Sequence, residues 1–425
     1  MSQINRSTVF ASLLGFICTL LFIIFSGFPQ KAQKVISPLA ANMYGIEPLT
    51  QSKSNHEVYG FLPHWQLNTV KNIDFNVLTT LAYFDIKIDS AGNIITDDPG
   101  YQLFKSNRAS ALFKEAHNHG TRVALTITQM NPPDIETLMD DQVGQANAIE
   151  QVVKLIQDRG IDDLNIDVEY GSNPGQAKRD QFTFFVENFN KAMHSVNPNS
   201  KVTVSVYASA IKDPKIYDIA ALGKVTDSIF IMAYDYTSIG SDYALPTAPL
   251  TGYKKVRSNE KDGVWYDVAT AVKDFTTQIP ANKIILGTPL YGLDFVVDKP
   301  EMKAETLPYW SGTPKIRQLS YAQEDITPTM PGIDAFKSGF DTETKTAWKA
   351  YRLAGSNIWR FLVYDDIKSL GVKYEFAKSS NLLGVGMWAL GFEDGNKDFW
   401  NLLRDKFGVK LADNNVLFKT IRDNI

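Results

Sequence analysis

The chain has 425 residues, 44% hydrophobic and 21% charged, a composition that suits one large globular domain with a full core plus extras. A net charge of −4, with no Lys/Arg run longer than two, argues against a nucleic-acid partner. A single cysteine, Cys18, excludes intramolecular disulfides.

Residues 9–28 form an apolar run about as long as one membrane-spanning helix, with Arg6 before it and Lys31 and Lys34 after it. A cleaved signal peptide has a shorter run and a small-residue cleavage site, which Phe25-Ser26-Gly27 matches poorly. Residues 1–28 therefore read as a membrane anchor or, second, a signal peptide. Either way the remainder is expected to be exported, anchored facing outside or secreted. Residues 29–56 are polar, without a sustained period, and read as a linker.

From residue 57 short apolar runs alternate with amphipathic stretches, the texture of an α/β protein with a parallel sheet. Strands are expected at 58–62, 77–86, 122–128, 162–169, 202–207, 228–234, 284–289 and 385–390. Helices are expected at 101–119, 142–159, 177–196, 214–222, 266–278, 366–379 and 397–407. Eight strands alternating with helices is the count of a (β/α)8 TIM barrel, whose reactive groups sit at the C-terminal strand ends. An open doubly wound sheet is the alternative, although no Gly-rich phosphate turn follows the first strand. The interval from the seventh strand to its helix is too long for one βα unit, so residues 291–364 read as an insertion with a strand at 357–363. The barrel then covers 57–410, and 411–425 is a short appendage.

The fourth strand carries the most chemistry. Extended chain alternates faces, so Leu164, Ile166 and Val168 point one way and Asn165, Asp167 and Glu169 the other. Carboxylates on the inner face of a buried strand are costly unless they serve a reaction. An edge strand or a calcium-loop fragment is the bland alternative, but calcium loops need Gly and oxygen ligands at fixed offsets. Burial and a neighbouring carboxylate should keep Glu169 protonated near neutral pH, ready to act as a general acid. On the sixth strand Met232 and Tyr234 share a face and Asp235 follows; Trp388 lies on the eighth, where a flat ring suits stacking on a sugar. His117 and His119 lack the i, i+4 spacing of helical metal ligands and read as surface residues, while His64 beside Trp65 could line a cleft mouth.

The run Asp162, Asn165, Asp167, Glu169 resembles the Asp-x-x-Asp-x-Asp-x-Glu signature of glycoside hydrolase family 18, the chitinase-like enzymes. Asn165 replaces the commoner Asp, and Asp163 stands where the family usually has Gly. Met232-Ala233-Tyr234-Asp235, Trp388, Gly60-Phe61 with Trp65, and the stretch through Tyr291 are also similar to family segments. The resemblance covers about residues 57–408 and implies a TIM barrel with a small α+β insertion. It implies retaining cleavage of β-linked N-acetylglucosamine-containing glycan, with no cofactor and no metal, in which the substrate's own acetamido oxygen is the nucleophile. Glu169 would be acid and then base, Asp167 would hold the acetamido N–H, Asn165 would brace Asp167 by hydrogen bonding, and Tyr234 would bind the acetamido carbonyl. Because an amide shares no proton, Asp167 would be ionised more constantly than in members with Asp at 165. Asp235, Trp388, Trp65, Tyr291 and Met232 would contact the sugar.

The third strand, 124–129, lacks the Ser-x-Gly-Gly of many chitinases, and with the Tyr364-Asp365-Asp366 run this is closer to branches acting on bacterial cell wall or spore cortex. No wall-binding repeat is visible. Chitin, peptidoglycan and N-glycan core all stay open as substrates. So do two other functions, a non-catalytic glycan-binding barrel of the same fold and an exported scaffold using the anchor.

Overall fold

The computed structural model describes residues 54–253, 266–307 and 314–408. The apolar run with Cys18, most of the linker and the appendage lie outside the described residues. Among those described, no helix is long and apolar enough to cross a membrane.

Eight strands close into a parallel barrel: β1 (Glu57–Pro63), β2 (Thr80–Lys87), β3 (Arg122–Gln129), β4 (Asp163–Val168), β5 (Val202–Tyr207), β6 (Ser228–Met232), β7 (Ile284–Pro289) and β13 (Gly384–Trp388), which pairs back onto β1. Helices α1 (Pro99–Phe104), α2 (Asn107–Asn118), α3 (Pro132–Asp140), α4 (Gln142–Arg159), α5 (Gln176–Val196), α6 (Ile219–Val225), α7 (Val268–Thr276), α8 (Ile367–Ser379) and α9 (Lys397–Phe407) pack outside. The expected barrel is the observed one.

Alternation explains both layers of the core. Leu164, Ile166 and Val168 are buried among the helices, each contributing about 1.5–3 kcal/mol by burial. The inner face holds a separate aromatic cluster of Tyr59, Phe61, Phe84 and Phe230. Phe230 meets Phe61 edge-on at 4.9 Å. It fits because Gly287 and Gly386 flank it: a Cβ at either would stand 2.5 or 2.3 Å from its ring.

Three helices differ from expectation. The one expected at 214–222 starts at Ile219, after the Asp218 cap, and runs to Val225. The stretch 101–119 divides into α1 and α2 at Ser106, whose hydroxyl accepts from the Ala109 N–H and restarts the helix. The helix α3 was not anticipated, although Pro132 and Pro133 in its first turn are a start signal.

The insertion leaves the barrel at once. Strand β8 (Tyr291–Val297) begins two residues after β7 and joins β9 (Ile316–Ser320), β10 (Ile333–Asp341), β11 (Thr346–Leu353) and β12 (Trp359–Tyr364) in an antiparallel sheet of order β10-β11-β12-β8-β9. Its described helical part is a single turn, Tyr321–Glu324. Leu293, Phe295, Ile316, Phe361 and Val363 give it a core of its own. Asp294, buried within it, accepts from Arg360 and Arg317 and from the Tyr351 hydroxyl.

Candidate active site

A cleft of about 830 Å³ opens at the C-terminal ends of the barrel strands. Glu169, Asp167, Tyr234, Asp235, Trp388, Trp65, Tyr291 and Met232 all line it. Asn165 does not. It is fully buried one layer below, where its amide donates to Ser205 Oγ at 3.1 Å and, more weakly, to the Thr203 carbonyl at 3.4 Å. The expected brace from Asn165 to Asp167 is therefore replaced by bonding sideways into β5.

Asp167 is 4% exposed, and its Oδ1 has no hydrogen-bond partner among the described residues. Burial pushes its carboxyl well up, and the charges of Glu169 and Asp85 push it further. Burial also raises Glu169; the Tyr207 hydroxyl, in hydrogen-bonding reach, works the other way, and Asp235 adds to the rise. Its surroundings therefore favour the protonated form, against the expectation of an ionised Asp167. Of the two raised carboxyls it is the more deeply buried. Tyr234 is pushed far up by burial and by Asp167, Glu169 and Asp235, so its hydroxyl remains a donor.

Around these groups stand the walls. Trp388 meets Phe84 edge-on at 4.7 Å and Trp65 at 6.3 Å, and Trp65 is 49% exposed at the mouth. Asp235 sits at φ 59, in the left-handed region that Asp tolerates better than most side chains. Its carboxylate accepts from the hydroxyls of Tyr291 and Thr247. Gln318 of β9 also reaches the cleft, so β8 and β9 together form one wall.

Three groups near the site escaped sequence reasoning: Tyr207, Ser205 and Asp85. Tyr207 ends β5 and Asp85 lies near the end of β2, so the strand-end rule that singled out Glu169 would have found both. The histidines also need correction. The His117 side chain is buried, its Nε2 2.7 Å from Asp162 Oδ2, because Asp162 shares the outward face of Leu164 and meets α2. His64 is not among the cleft-lining residues; its Nδ1 lies 3.2 Å from Asp85 Oδ1.

The chain belongs to glycosyl hydrolases family 18, which matches residues 42–393. A Bacillus subtilis (strain 168) protein, YdhD, named as a sporulation-specific glycosylase, is 25% identical over 280 residues, 65% of this chain and 57% of that one. The cortical fragment-lytic enzyme of the same organism is 24% identical over 278 residues, 64% of this chain and 56% of its own. The chain thus spans a little over half the length of these relatives. Among solved structures, the Ostrinia furnacalis Group IV chitinase in complex with allosamidin superposes with a TM-score of 0.69 at 19% identity, covering 82% of this chain and 98% of that one. That likeness is one of fold.

Proposed function

We propose that the chain is a glycosidase that cleaves β-linked N-acetylglucosamine-containing glycan with retention, by substrate-assisted catalysis. The observation that carries this reading is Glu169 beside Asp167 at the floor of a strand-end cleft walled by Tyr234 and Trp388. Glu169 gives its proton to the glycosidic oxygen as that bond breaks, while the substrate's acetamido oxygen closes on the anomeric carbon. Asp167 steadies the positive charge of the resulting ring. Glu169 then takes a proton from water as the water oxygen adds to the same carbon and the ring reopens. Family membership and the raised Glu169 carboxyl support this division of labour.

Bacterial cell-wall glycan is the favoured substrate, supported by the named role of the cortical fragment-lytic relative and by the sequence of β3. We place the reaction outside the cytoplasm on the strength of residues 9–28, with membrane attachment wherever that segment is retained.

The test incubates the purified full-length chain and Glu169→Gln with labelled N-acetylglucosamine oligomers and with peptidoglycan. Cleavage by the wild type that falls about 10²–10⁴-fold in the variant is the expected result. Binding without cleavage by either protein would identify a lectin of the same fold. Neither binding nor cleavage would leave the scaffold reading.

A further inference from the structure

Behind the cleft lining, the inner polar residues at the top of the barrel hold a buried carboxylate that the reaction above does not use. Asp85 lies near the end of β2, where the pairing with β3 is irregular between Phe84 and Ile86. Its side chain is buried and held at both oxygens: Thr128 donates to Oδ2 at 2.6 Å, and His64 Nδ1 stands 3.2 Å from Oδ1. Thr128 is the register partner of Asp167 on the adjoining strand. The order across the sheet is therefore His64 after β1, Asp85 on β2, Thr128 on β3 and Asp167 on β4.

Position 165, by contrast, brings no charge to Asp167. It holds an amide, and that amide is engaged with Thr203 and Ser205. Asp167 keeps a buried oxygen without a partner among the described residues.

We propose that Asp85, clamped by His64 and Thr128, is a positioning residue for hydrolysis: its carboxylate supplies from β2 the negative neighbour of Asp167 that the amide at 165 does not provide. This inference rests on the hydrolase reading. A fixed charge beside Asp167 favours retention of one proton by the Asp167–Glu169 pair, the state in which one carboxyl donates and the other accepts. Asp85 does not touch substrate; among the described residues it does not line the cleft. The other groups around it are accounted for. Lys87 is paired with Asp98 at 2.7 Å, Asp98 also feels His64, and the Tyr83 hydroxyl donates to the Gly100 carbonyl. His64 is thus the basic side chain in direct contact with Asp85.

The experiment compares full-length wild type, Asp85→Asn, His64→Gln, Asn165→Asp and the double variant Asp85→Asn/Asn165→Asp. It measures kcat and KM across pH on the better of the N-acetylglucosamine oligomer and peptidoglycan. Removing the negative neighbour makes protonation of the pair harder, so both limbs of the Asp85→Asn profile should move about one pH unit toward acid, with kcat on the alkaline side down about tenfold. KM should stay within about twofold, since substrate is not touched. Over the pH range in which the imidazole carries a proton, His64→Gln should move the limbs the opposite way. Asn165→Asp should restore the Asp85→Asn profile in the double variant, a rescue that a merely structural Asp85 would not permit.

If Asp85→Asn does not fold, as read by thermal melting, the decision falls to His64→Gln and to Asn165→Asp alone, which should shift the limbs toward alkali. Unmoved profiles in an active wild type would overturn the proposal while leaving the hydrolase reading intact. A wild type that cleaves neither glycan would overturn both.

Discussion

The two ends of the barrel use the same residue types for opposite purposes. At the N-terminal end, where β1, β3 and β4 begin, the inward charges of these strands have opposite partners among the described residues. Glu57 accepts from Thr79, Thr80 and Lys201, and Arg122 grips Asp163 with two nitrogens. At the C-terminal end Asp85, Asp167, Glu169 and Asp235 gather. Among the described residues, the side chains that bond them are hydroxyls and one imidazole. Asp163 and Asp167 lie on one strand and one face, four residues apart. The bottom charges are neutralised by their pairs, and on the proposed reading the crowding at the top serves proton transfer.

That contrast is open to direct attack. Glu169→Gln should cost the most, about 10²–10⁴-fold in kcat, while the melting temperature barely moves. A large loss of stability would mean that the top carboxylates also hold the barrel together. Arg122→Met should do the reverse, leaving Asp163 buried without its partner and costing about 3–5 kcal/mol in denaturant unfolding, with kcat of the folded fraction unchanged. Trp388→Ala tests the aromatic wall beside the C-terminal carboxylates. Its KM should rise roughly tenfold, about 1.4 kcal/mol, through lost stacking.

The smallest effect is at Glu57. Burial raises its carboxyl, but Lys201, Thr79 and Thr80 outweigh that and hold it below the usual range. A carboxyl lowered by folding contributes stability that is fully present above its unfolded value of about 4.3 and fades as pH falls through the folded one. Glu57→Gln should therefore melt earlier than wild type at neutral pH, and the gap should close in acid. A gap that widened in acid would reverse the sign of the pairing argument.

Much of this was legible in the chain. Alternation in 164–168 told which face of β4 is apolar, and the strand count gave the barrel, because both are local properties of one segment. Proximity across strands was less legible. Asn165 bonds into β5 and Asp85 comes near Asp167, and both depend on register between segments about 40 to 80 residues apart, which no single-strand pattern encodes. His117 was misplaced for the same reason, since its partner Asp162 is brought to α2 by the pairing of β4 with β3. The insertion was visible as surplus length, but its sheet order was not, because antiparallel pairing is decided by turns rather than by spacing.

The inserted sheet has its own apolar nucleus, distinct from the cores of the barrel. A wall with an independent nucleus is a separable part. Exchanging its outer strands while keeping Tyr291, which bonds Asp235, would on the hydrolase reading change how many sugar units the trench seats and leave the carboxylates at its floor in place.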